Sequence, residues 1–280
     1  MDSLISDEIE TFSIFEVAKK ECYSLLDMIL DNLPIYNFDI DSQDENGDTL
    51  LHIICAKSEQ AIAQRLINLG CNVNISNNIC ESPLYIACSK GNLSLAKLLV
   101  KNNADLQITD TNSRSLLHLA AEKNSLELCK FLIDSGADLN APDSSGATPL
   151  HYAVELNFPK IILLLVHKGA DVNRQDLDGY TPLHIASKTN AEIVKFLLRN
   201  KAATSIKTFN GDLPLHLAAS SGNHTAVTIL LNGGIGPNCL NNDNCSPAQL
   251  AEMNGHEKVA HLLRPPNVNK ARKKSRIIAL

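Results

Sequence analysis

The chain has 280 residues, 44% of them hydrophobic and 20% charged, with 31 acidic side chains against 25 basic ones. That balance is expected of a soluble, folded chain. The longest apolar run, residues 161–166, is far short of the roughly 20 residues a membrane span needs. The opening MDSLISDEIE is acidic and lacks the basic-then-apolar layout of a signal peptide.

In chain order, residues 1–43 are expected to form an N-terminal segment with a degenerate capping repeat. Stretches 15–20 and 22–32 read as two short helices, with Ala18 in the place that alanines hold further on. From 44 to 265 the sequence repeats. Strings such as GDTLLHIICA (47–56), GATPLHYAVE (146–155) and GYTPLHIASK (179–188) bring His52, Tyr85, His118, His151, His184, His216 and Gln249 into one column. Their spacings are 33, 33, 33, 33, 32 and 33. A fixed period of this length predicts a solenoid of seven stacked units sharing one continuous core.

Residues 143–175 are the clearest unit. Thr148 followed by Pro149 predicts a helix N-cap and a proline at the first helical position, where its missing N–H costs nothing. Leu150, Ala153 and Val154 continue a short first helix. Ile161, Ile162, Leu164 and Leu165 form a second, ending at Gly169. Two later units depart from this scheme. One residue is missing near Asn190, Lys201 replaces the helix-ending glycine, and Leu213 stands where a capping Thr or Ser is expected. These units are the expected soft part of the array, and Leu213→Thr is expected to stabilise it by about 1 kcal/mol. In the last unit, Gln249 and the Pro265-Pro266 stop suggest a C-terminal cap.

Residues 266–280 form a tail. It carries Lys270, Arg272, Lys273, Lys274 and Arg276 and no acid, leaving 20 basic residues against 31 acidic ones in the rest. The acidic body opposes nucleic-acid binding. Lys273, Lys274, Ser275 and Arg276 fit a short nuclear-import pattern, and Ser275 a site for a basic-directed kinase. A tail that merely aids solubility, and one that contacts an acidic membrane or nucleic acid, are the alternatives.

Catalytic and metal chemistry finds little support. Five histidines recur one repeat apart, whereas zinc ligands must converge on one ion. Gly233, Gly234 and Gly236 run into Pro237, without the lysine or the strand setting of a phosphate loop. The eight cysteines include no Cys-x-x-Cys pair, and Cys55 and Cys88 share one repeat letter. They read as small apolar fillers in a reduced, intracellular chain. No metal, no cofactor, no small-molecule substrate and no enzymatic activity are expected.

The unit resembles an ankyrin repeat, whose pattern D-x-x-G-x-T-P-L-H-x-A-A…G-A-D-V-N runs through 143–186 and, more loosely, 44–265. The resemblance implies an all-α solenoid of about seven repeats plus the degenerate cap, each repeat a hairpin-like finger and two helices. It implies a histidine that hydrogen-bonds to the turn and links neighbouring units. It further implies a noncatalytic, monomeric scaffold or adaptor that holds a protein through its concave face and finger tips. Carried over by letter, the partner-binding candidates are Leu177, Asp178, Tyr180 and Phe209 on the fingers, with Leu156, Glu155, Glu122 and Lys123 on helix ends. Leu177, Tyr180 and Phe209, with Leu156 beside them, are expected to anchor the partner, while Arg114 and Lys188 orient its acidic groups. An inhibitor or regulator of a transcription factor and a secreted effector of an intracellular microbe are the alternatives. The expected location is cytoplasmic, with nuclear entry if the tail is an import signal.

Overall fold

Short helices of seven to nine residues cannot persist alone, so this chain builds them in pairs and lets each pair bury its neighbour. The computed structural model of the protein describes residues 14–32 and 38–264. Among the described residues there are 16 helices in eight consecutive pairs. They fall into two compact units, Met1–Ser144 and Ser145–Leu280.

The first unit contains α1 (Ile14–Lys19), α2 (Tyr23–Asp31), α3 (Leu50–Lys57), α4 (Gln60–Asn68), α5 (Pro83–Ser89), α6 (Leu93–Lys101), α7 (Leu116–Glu122) and α8 (Leu126–Asp134). Within it α3, α5 and α7 pack in one row, and α4, α6 and α8 in another. The core between the rows holds Leu50, Ile54, Leu95, Leu99, Leu116, Ala120 and Leu132, all fully buried. Each buried leucine stabilises by about 2 kcal/mol. Cys55, Cys88 and Cys129 lie in the same core, and burial pushes their thiols up to about 12. They are fillers rather than nucleophiles.

The first helix pair belongs to this stack. α1 packs on α3 and buries Val17 and Ala18. Arg65 of α4 reaches Asp27 at 2.6 Å and also Asp31, while Lys19 meets Asp44 at 2.9 Å. The pair covers the flank of α3 and α4 with a charged outer face, as an end unit must.

The second unit contains α9 (Pro149–Glu155), α10 (Pro159–His167), α11 (Pro182–Thr189), α12 (Ala191–Arg199), α13 (Pro214–Ser220), α14 (His224–Asn232), α15 (Pro247–Met253) and α16 (Glu257–Leu263). Here α9, α11, α13 and α15 form one row, and α12, α14 and α16 continue the other. Each first-row helix begins with proline behind an extended N-cap residue: Thr148, Thr181, Leu213 and Ser246. Gln249 stands in for histidine in the last pair, its Oε1 accepting from the Ser246 N–H at 2.8 Å.

The irregular unit differs from the rest in the loop between its helices. In seven of the eight pairs a residue at positive φ separates the two helices, for example Asn157 at 58° and Gly222 at 71°. The α11–α12 pair has none. Asn190 both ends α11 and caps α12, its Oδ1 accepting from the N–H groups of Glu192 at 2.9 Å and Ile193 at 3.4 Å. The missing residue is therefore the left-handed one. Lys201 occupies the left-handed corner after α12, with φ 66°, a conformation that disfavours any side chain. Leu213 sits at the N-cap without a side-chain acceptor, but it is only 8% exposed. It is a core residue as well as a lost cap.

Candidate protein-binding surface

The loop before each first-row helix is a finger, and its shape is set by one side chain. Asp44, Asn77, Asp110, Asp176 and Asn241 each accept from the backbone two and four residues on, at 2.8–3.2 Å. Thr208 does so once, from Asp212 N–H at 3.1 Å. The glycine at the turn must reach positive φ and also admit the next finger. A Cβ on Gly179, at φ 83°, would lie 2.7 Å from Phe209 N. This close approach lets fingers hydrogen-bond in series, Leu177 N–H to Ser145 O at 2.8 Å and Phe209 N–H to Asp178 O at 3.0 Å.

The repeated histidine ties each finger to the next. The Nδ1 atoms of His52, His118, His151, His184 and His216 accept from the N-cap N–H three residues before, at 3.0–3.1 Å. Nε2 then carries the proton and donates to a carbonyl of the following finger: Glu81, Tyr180, Asp212 and Cys245 for His52, His151, His184 and His216, at 3.1–3.3 Å. Burial lowers the pKa of His52 and His216 and brings His184 to about 4. These rings are neutral structural links.

Leu177 and Phe209 head neighbouring fingers and are 64% and 69% exposed, and Leu156 at the end of α9 is 42% exposed. Tyr180 is half-buried at the base of its finger. Its ring lies edge-on to His184, with centroids 6.0 Å apart, and the Lys188 ammonium sits 4.7 Å from its centroid. Asp178, Glu155 and Lys188 are exposed. The second unit thus holds seven of the candidates: Leu156, Leu177, Tyr180, Phe209, Asp178, Glu155 and Lys188.

The remaining candidates lie elsewhere. Arg114, Glu122 and Lys123 are in the first unit, with Lys123 exposed. Arg114 is engaged at home: Nε donates to Asp110 at 2.8 Å, Nη1 to Glu122 at 3.3 Å and Nη2 to the Tyr85 hydroxyl at 3.4 Å. Tyr85, the tyrosine in the histidine column, is itself buried and donates to Asp110 at 2.7 Å. Burial would raise the Asp110 carboxyl, but hydrogen bonds from Tyr85 and Arg114 outweigh it and hold it below the usual carboxylate range. Arg114 and Glu122 therefore pair with each other, a constraint that their repeat letters did not disclose. The signal in the sequence was the coincidence of Tyr85 with an arginine four residues after Asp110. Lys273, Lys274, Ser275 and Arg276 lie outside the described residues.

Two grooves were not foreseen. One, of about 480 Å³, runs along the first fingers past Asp48, Ile79, Glu81 and Lys90. The other, of about 420 Å³, lies between α10 and α12, floored by Ile162, Leu163, Ile193 and Phe196 with Asn190 at its edge. Among the described residues no group of three or more His, Cys, Asp or Glu side chains could hold a metal ion. No described helix is long and apolar enough to cross a membrane.

No curated protein matches the sequence. Among solved structures, the ankyrin repeat domain of Bcl-3, described as a unique member of the IkappaB protein family, aligns with a TM-score of 0.70 at 31% identity. The alignment covers 79% of this chain and 100% of that one. The family model "Ankyrin repeats (3 copies)" matches residues 14–110, 84–176, 117–209 and 183–274. With its eight helix pairs, linked fingers and repeated histidine, the chain belongs to the ankyrin-repeat family and has the fold of a protein-interaction scaffold.

Proposed function

We propose that this protein is a noncatalytic adaptor that holds a protein partner on the fingers of its second unit. The observation that carries this reading is the pair Leu177 and Phe209, large apolar side chains held in solvent on adjacent fingers by a rigid backbone ladder. Aromatic and aliphatic groups displayed this way bury well at the centre of an interface, where a few residues carry most of the binding energy. Pre-organisation by the finger bonds lowers the ordering cost of binding. Tyr180 lies at the base of the Leu177 finger, with Lys188 over its ring and the exposed Asp178 on the same finger supplying charge, and Leu156 is a further exposed apolar side chain of this unit.

Quantitative affinity capture with the wild-type chain and with a Tyr180→Ala, Phe209→Ala variant tests this. At least one partner should be depleted more than about tenfold, while the melting midpoint shows the array intact. Depletion of every partner by less than a factor of about two would sink the patch. A regulator of a transcription factor is a narrower reading of the same surface.

A further inference from the structure

Charge in the second unit is sorted between its two sides. The fingers carry Asp176, Asp178, Asp212 and Asp243, offset by Arg174, by Lys207 and by Lys188 beside Tyr180, and the acids Asp178 and Asp243 stand at the exposed tips. Lys207 is directed to a backbone oxygen, that of Leu240 at 3.3 Å. The opposite row carries Lys160, Lys195 and Arg199 with Glu192, while α16 balances Glu257 with Lys258. Asp178 and Asp243 are exposed, and they flank the exposed Leu177 and Phe209.

The chain itself contains a complementary segment. Residues 266–280 combine five basic side chains, no acid, and the apolar Ile277 and Ile278. They follow Arg264, whose guanidinium bonds Glu252 on α15 at 2.6 Å. From there, the last finger lies roughly one short helix away, about 10 Å, with Phe209 one and Leu177 two repeat spacings of roughly 10 Å further. An extended segment reaching Ile277 spans roughly 40 Å. The basic run 270–276 would meet like charge along the outer helices and opposite charge at the tips Asp178 and Asp243.

We propose that residues 266–280 dock on the fingers of the second unit. The basic run lies over Asp178, Asp212 and Asp243, and Ile277 and Ile278 lie against Leu177 and Phe209. The tail then occupies the same patch as the partner, so partner binding requires its release. This consequence rests on the finger reading above.

The test uses a fluorescein-labelled peptide of residues 266–280, added to the full chain and to a chain ending at Arg264. Anisotropy should show saturable binding to the shortened chain that weakens with salt. The full chain should bind at least about tenfold more weakly, because its own tail acts at high effective concentration. Phe209→Ala, and separately Asp178→Asn with Asp243→Asn, should each weaken the peptide about fivefold or more, while Lys195→Ala on the outer row changes it less than about twofold. Equal binding to full and shortened chains, or indifference to the acidic substitutions, overturns the proposal. Capture of partners by the same variants separates the two claims. Partner loss with no peptide binding removes the tail contact alone. Peptide loss with unchanged partners supports the tail contact and removes the partner reading alone.

Discussion

A buried histidine whose Nδ1 accepts and whose Nε2 donates has no site for a second proton without breaking a bond. His52, His184 and His216 are all in this state, with burial holding each below its ordinary value of 6.5. In the unfolded chain they protonate near pH 6.5. Stability is therefore full above that pH and is lost as pH falls toward about 4, where His184 protonates in the fold. That ring alone accounts for on the order of 3 kcal/mol across the window. Urea midpoints measured from pH 7.5 to 4.5 should fall steadily, and a flat profile would remove the histidine links. Lys201 makes a second prediction at this scale. Lys201→Gly should stabilise by about 1 kcal/mol by relieving the left-handed strain, read as a raised melting midpoint. Leu213→Thr behaves differently from what the cap rule implies. The hydroxyl cap contributes about 1 kcal/mol, but loss of leucine burial costs about 2 kcal/mol. The substitution should lower stability by about 1 kcal/mol, and a gain would show that burial of Leu213 counts for little. The histidine column was legible because every repeat writes the same letter. The Tyr85–Asp110–Arg114–Glu122 network was not, since it joins residues whose contacts the repeat pattern leaves unspecified.

At the scale of the element, pairing rules explain nearly every boundary. Proline at the first helical position and a left-handed corner recur so regularly that α9 and α10 were readable to within a residue or two. The 32-residue spacing was visible too, but its consequence was not. The chain dropped the left-handed residue and made Asn190 serve as the end of one helix and the cap of the next. Asn190 also donates to Asn157 Oδ1 at 2.8 Å, tying the short loop to the preceding one. Asn190→Ala removes both the cap and this tie and should cost about 1–2 kcal/mol. Amide exchange should quicken first at Glu192 and Ile193. Exchange that changes uniformly, or not at all, would place the weak point elsewhere. The groove between α10 and α12 lies at the same shortened loop, which no periodic argument could locate.

For the whole molecule, the 33-residue period by itself makes the family legible. The family also accounts for the cysteines and histidines as structure. What the period could not rank was the finger letters against one another. Arg114 and Leu177 looked equally available in the sequence, yet folding pairs the first with Asp110 and Glu122 and leaves the second in solvent. Exposure is a property of the stack and not of the letter. The claim that rests on this distinction is that the fingers of the second unit, and not the groove between α10 and α12, hold the partner. Hydrogen–deuterium exchange of the chain, free and bound to a captured partner, tests it most directly. Protection should appear at residues 176–180 and 208–212 and be absent from α10 and α12. Protection confined to α10 and α12, with the fingers unchanged, would contradict it.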